Sequence, residues 1–242
     1  MLTQINHWLE YASAAVDVFL LLRVLALRLQ RTYLFLTLAC ILTVFFDVID
    51  LSLAHGSPEV QRVWIYSNLL FAFVFPFAAW DVFEEIPPAL TAFRRTVMTR
   101  SLTSIFMVSL FGLLVSIPAF NPDDPLDGPF LFRLMVVVST GSATGCLSFF
   151  WAMRRAFRLQ KIPFPHNTFV WMIFYGLTLA SQIAIFFIIF VEEALGQSST
   201  SIVGQVTETT AGLYGIAVTI WCGLRLKALP KDVPSASLNE PS

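Results

Sequence analysis

Histidine and cysteine occur only three times each in 242 residues, and that scarcity excludes much chemistry. His7, His55 and His166 each stand at the end of a hydrophobic run. Paired histidines for a buried haem, an intramembrane zinc site and the serine and histidine dyad of a membrane-embedded protease all lack a ligand or base where it is needed. Cys40, Cys146 and Cys222 fall inside hydrophobic runs, far apart and without CxxC spacing. They read as small apolar core residues, not as a disulfide framework or a metal set. Neither GxGxxG nor a Walker motif occurs, so nucleotide phosphates have no cradle. The segment GSATG (141–145) places a serine between glycines, but within a small-residue helix that is packing. No cofactor is called for, and an enzyme is the least supported class.

Charge is scarce as well. Charged residues make up 13% of the chain, against roughly 25% in a soluble domain. Lys and Arg together number 15 while Phe alone numbers 24, which leaves no basic surface for nucleic acid. With 57% hydrophobic residues and a mean hydropathy of +0.74, the composition is that of a polytopic integral membrane protein. In a bilayer a run of this kind satisfies its backbone as helix, so the expected fold class is all-α. The N-terminal stretch MLTQINHWLEYASAAVDVFLLL lacks a basic leader region and carries Glu10 and Asp17. It reads as a retained first helix and not as a signal peptide.

Seven hydrophobic spans are predicted, at about 6–27, 33–54, 63–83, 98–119, 131–153, 168–191 and 202–226. Short connections predict one seven-transmembrane-helix bundle over 1–226, with sequential antiparallel neighbours. The Pro- and Ser-rich tail 227–242 reads as disordered. Of the fifteen basic residues, all but Arg62 and Arg133 fall at one set of span ends. Basic loops stay cytoplasmic, which predicts the N-terminus outside and the C-terminus cytoplasmic, in a cell membrane of the bacterial cytoplasmic type. The acidic loop 121–128 and Glu192 with Glu193 then lie outside. Trp8, Trp64, Trp80, Trp151, Trp171 and Trp221 fall near span ends, as an interfacial belt would have them. Pro76 predicts a kink in the third span.

The stretch Tyr33 to Ala54 organises the rest. It is long enough to cross a bilayer yet carries Asp47 and Asp50, three positions apart and so on one helix face. An ionised carboxylate facing lipid costs several kcal/mol, which turns that face toward protein or water. Glu10, Asp47, Asp50, Asn68, Arg133, Gln205 and Glu208 fall in the outer half, with Asp47 about 10 Å below the boundary and Asp17 near the midplane. Glu10 shares a stripe with Asp17, Gln205 with Glu208, and Tyr175 with Thr178 and Gln182. These residues predict an outward-facing acidic cavity lined by spans one, two, three, six and seven. The alternative reading makes Asn68, Gln182 and the threonines interhelical hydrogen-bond links, with Arg62 or Arg133 pairing an acid.

Other features read as packing. Gly141, Gly145, Ser148 and Ala152 form a small-residue ridge, and Gly212 and Gly215 continue a similar one in the last span. The segment with Asp81, Glu84, Glu85, Pro87 and Pro88 before Arg94 and Arg95 reads as a solvated membrane-proximal loop. Seven helices with the N-terminus outside also describe G-protein-coupled receptors and retinal proteins. The last span holds no lysine before Lys227, and DVFEE (81–85) stands where a receptor has Asp-Arg-Tyr. No family follows from topology alone.

The leading functional expectation is a non-enzymatic module that binds or senses a small ligand or cation at the acidic face. The others are a secondary transporter or proton-coupled permease, and a structural subunit with a membrane protein partner or a second copy.

Overall fold

The computed structural model describes residues 2–53, 57–116, 129–194 and 202–229. Among them the chain is all-helical: α1 (Leu2–Ala26), a 3-10 turn (Leu29–Arg31), α2 (Leu34–Ser52), α3 (Pro58–Asp81), α4 (Pro88–Ser116), α5 (Pro129–Leu159), α6 (His166–Ala194) and α7 (Ile202–Arg225). The loop 121–128, the tail beyond Leu229 and the side chains of Glu192 and Glu193 lie outside the described residues. Five helices, α2 to α6, are long and apolar enough to cross a membrane. The chain is thus a multi-pass membrane protein. Helices α1 and α7 are 25 and 24 residues long, with Glu10 and Asp17 inside the first and Glu208 inside the second.

Those two helices pack on each other. α1 packs on α2, α2 on α3, α3 on α5, α5 on α6, α6 on α7 and α7 back on α1, a closed ring of six. The first and last helices therefore form the seam. Helix α4 stands outside the ring with α5 as its principal partner, so the expected order of sequential neighbours fails at this point.

The reason lies in α5, which carries small residues on two faces. Ser139 and Ser142 donate to the carbonyls of Asn68 and Ala72 on α3 at 3.3 and 2.6 Å. On another face a Cβ added to Gly141 would come within 2.8 Å of Val108, and one added to Gly145 within 2.4 Å of Ile105, both on α4. Bare backbone lets two helices approach α5 closely at once. Pro76 fits the same scheme, because its missing N–H leaves the Ala72 carbonyl without an intrahelical donor and Ser142 supplies one.

The ends differ in density. The largest fully buried side chains include Tyr33, Phe83, Phe149, Phe157 and Trp171, gathered toward the arginine-rich end. There the segment after α3 is not a solvated loop. Asp81, Val82 and Phe83 are buried, and the Asp81 carboxylate accepts the N–H groups of Phe35 and Leu36, capping a helix whose own N-cap residue, Tyr33, offers no side-chain bond. Tyr33 donates its hydroxyl to Glu85. Arg94, 4% exposed, donates to the Phe83 carbonyl at 2.9 Å and to Glu84 at 2.5 Å, with its guanidinium 3.7 Å from the Trp80 ring centre. A charged string in sequence is thus a packed lock.

Two more contacts seal this end. Arg23 donates to the carbonyls of Gly223 and Leu226, and Asn167 exchanges two hydrogen bonds with the Lys227 backbone. The tryptophan belt is also corrected. Trp8 and Trp151 are exposed, as a belt requires, but Trp171 is fully buried in the core and Trp80 lies beneath Arg94.

Candidate binding chamber

The opposite end is hollow. Helix α3 starts there with a Ser57 cap that accepts the Val60 N–H, followed by Pro58 at the first helical position. From this start Gln61, Trp64, Ser67, Asn68 and Phe71 follow at helical spacing and border a cavity of about 690 Å³. Facing them is the α2 stripe Thr43, Phe46, Asp47 and Asp50, and Glu10 enters from α1. This vestibule joins three carboxylates from two helices to an aromatic wall.

A side lobe of about 240 Å³ shares Glu10, Asp47 and Asp50 and adds Asn6, Ser13 and Gly212. Its rim is fixed by the α1 to α7 seam, where Thr209 donates to Asn6 at 2.5 Å. Asp47 borders both spaces, and its Oδ2 is buried without a hydrogen-bond partner. Among the described residues no group of three or more His, Cys, Asp or Glu stands close enough to hold a metal ion.

Deeper in the ring lies a third space of about 230 Å³. It touches the vestibule at Thr43 and Phe71, and holds Asp17 and Tyr175. Five of the six ring helices border it, all but α5.

The ten residues singled out by sequence therefore separate. Glu10, Asp47, Asp50 and Asn68 meet in the vestibule, while Asp17 and Tyr175 belong to the deep chamber. Gln182 borders none of the three spaces and donates to Asn68 at 3.3 Å, linking α6 to α3. Arg133 is exposed on α5, away from these linings. Gln205 and Glu208 lie on α7, but their side chains fall outside the described residues. A Cβ added at Gly212 would come within ordinary contact of Leu9, whereas one at Gly215, which borders the deep chamber, would meet nothing within 4 Å.

Sequence reading missed Thr43, Phe46, Trp64 and Ser67. The signal was present, since Thr43 and Phe46 sit four and one positions before Asp47 on the acidic stripe of α2. Cys40, Cys146 and Cys222 are all buried and unpaired. Compared with known proteins, the chain matches no family model, no curated protein and no solved structure.

Proposed function

We propose that the chain is a seven-span protein of a bacterial-type cytoplasmic membrane, N-terminus outside, that binds a small ligand or cation without catalysing a reaction. The observation that carries this reading is the convergence of Glu10, Asp47 and Asp50 on one cavity of about 690 Å³, a size typical of small-molecule sites. Trp64, Phe46 and Phe71 beside the three carboxylates favour a ligand held by charge and aromatic contact. Helices α1 and α7 count as spans here because each is long enough to cross a bilayer.

Native mass spectrometry of the full chain, gently extracted from its source membrane, tests the reading. A small co-purifying mass that disappears when Asp47 and Asp50 both become Asn supports it. Retention of that mass in the folded double variant removes it. Orientation is tested separately by labelling in intact cells: Asp124→Cys should react with an impermeant thiol reagent, and protection there would reverse the topology.

A second reading, a transporter or proton-coupled permease, draws on one further observation. The vestibule and the deep chamber share Thr43 and Phe71 in their linings, and the chamber also borders Leu20, Cys40 and Tyr175 of the packed core. pH-dependent flux in proteoliposomes would support transport.

A further inference from the structure

The deep chamber has a lining unlike that of the vestibule. Among the described residues it holds one carboxylate, Asp17, and no Lys, Arg or His borders it. Ser13, one turn earlier on α1, borders the same space. Across the space runs a continuous aromatic wall. Phe71 stacks on Phe75 at 5.5 Å, Phe75 meets Tyr175 edge to face at 6.1 Å, and Tyr175 meets Phe174 at 5.2 Å and 86°. Tyr214 adds a fifth ring from α7.

A single anion facing several π surfaces is the chemistry that recognises an ammonium ion, because ring faces and carboxylate both attract positive charge while the rings also bury an apolar body. The volume, about 230 Å³, corresponds to roughly seven or eight waters at ~30 Å³ each, room for a small molecule with one ring. Two neighbours limit the charge balance. Asp47 borders the neighbouring vestibule, and Arg23, further along α1, spends its guanidinium on the Gly223 and Leu226 carbonyls.

We infer that the deep chamber is a second binding site, for a small organic ammonium ion whose charged head meets Asp17 and whose apolar body lies on the wall of Phe71, Phe75 and Tyr175. The site is separate from the vestibule and stands if the vestibule holds nothing.

The test uses the purified full chain in lipid nanodiscs, titrated with phenylethylammonium and, as an uncharged match in shape, 2-phenylethanol. The expected result is a saturable rise in unfolding temperature with the ammonium only. Asp17→Asn should abolish the rise, Asp50→Asn should leave it, and Phe75→Leu should weaken binding roughly 5- to 30-fold. Should Asp17→Asn fail to fold, Phe75→Leu against Asp50→Asn carries the same distinction. An equal rise with 2-phenylethanol, no rise with either compound, or a rise lost in Asp50→Asn and kept in Asp17→Asn would each overturn the inference. The last outcome would move the ligand to the vestibule.

Discussion

Ser142 on α5 donates its hydroxyl at 2.6 Å to the carbonyl of Ala72, the one that Pro76 leaves without a donor inside α3. A proline in a membrane helix is tolerated when a neighbour satisfies the freed group, and here the neighbour is a fully buried serine. Removing it strands a carbonyl in a low-dielectric interior. Ser142→Ala should therefore lower stability by about 1–3 kcal/mol, read from unfolding in detergent. The same change made on a Pro76→Ala background, where residue 76 again offers an N–H, should cost clearly less. Equal costs in both backgrounds would show that the bond and the proline are unrelated.

Asp81 gives a second, independent check. Its carboxylate caps α2 from the end of α3, accepting from Phe35 and Leu36, so Asp81→Ala should cost about 1–2 kcal/mol. Asp81→Asn keeps an acceptor and should cost less. Hydrogen exchange at the first turn of α2 should rise in the alanine variant, and unchanged protection there would contradict the cap.

Gly145 of α5 and Gly215 of α7 should respond in opposite ways. A Cβ at Gly145 would stand 2.4 Å from Ile105, so Gly145→Ala should loosen α4 from α5 and cost on the order of 1–3 kcal/mol. Gly215→Ala adds its methyl to open space in the chamber and should be neutral or gain up to about 1 kcal/mol from helix propensity. Thermal unfolding of the two variants side by side decides it.

Arg94 should not tolerate lysine. Its planar guanidinium lies over Trp80 and donates to both Phe83 and Glu84, a geometry that an ammonium cannot reproduce. Arg94→Lys is expected to cost about 2 kcal/mol although the charge is kept, a loss visible in unfolding temperature.

What the sequence revealed was set by local rules. Membrane character follows from composition, and the shared face of Asp47 and Asp50 follows from their spacing alone. That Glu10 meets them depends on how α1 packs against α2, which no spacing encodes. The displacement of α4 was hidden because a ridge such as Gly141 and Gly145 announces close approach without naming the partner. Likewise DVFEE looks solvated as a string of charges, since the N–H groups that Asp81 caps belong to a helix begun some forty-five residues earlier. Trp171 shows a further limit: near a span end a tryptophan reads as interfacial, yet a ring of helices has an inside at every depth.

The closing of that ring sets a schedule for synthesis. Arg23 and Gly223, bonded across the α1 to α7 seam, are 200 residues apart in sequence. At ~5–20 residues per second the first helix is made roughly 10 to 40 s before the one that covers its polar side. Throughout that interval Asn6, Glu10 and Asp17 wait for their neighbour, sheltered by α2 and by whatever inserts the chain. A chain cut short before Ile202 never receives that cover, and the side lobe and the deep chamber each lack one wall.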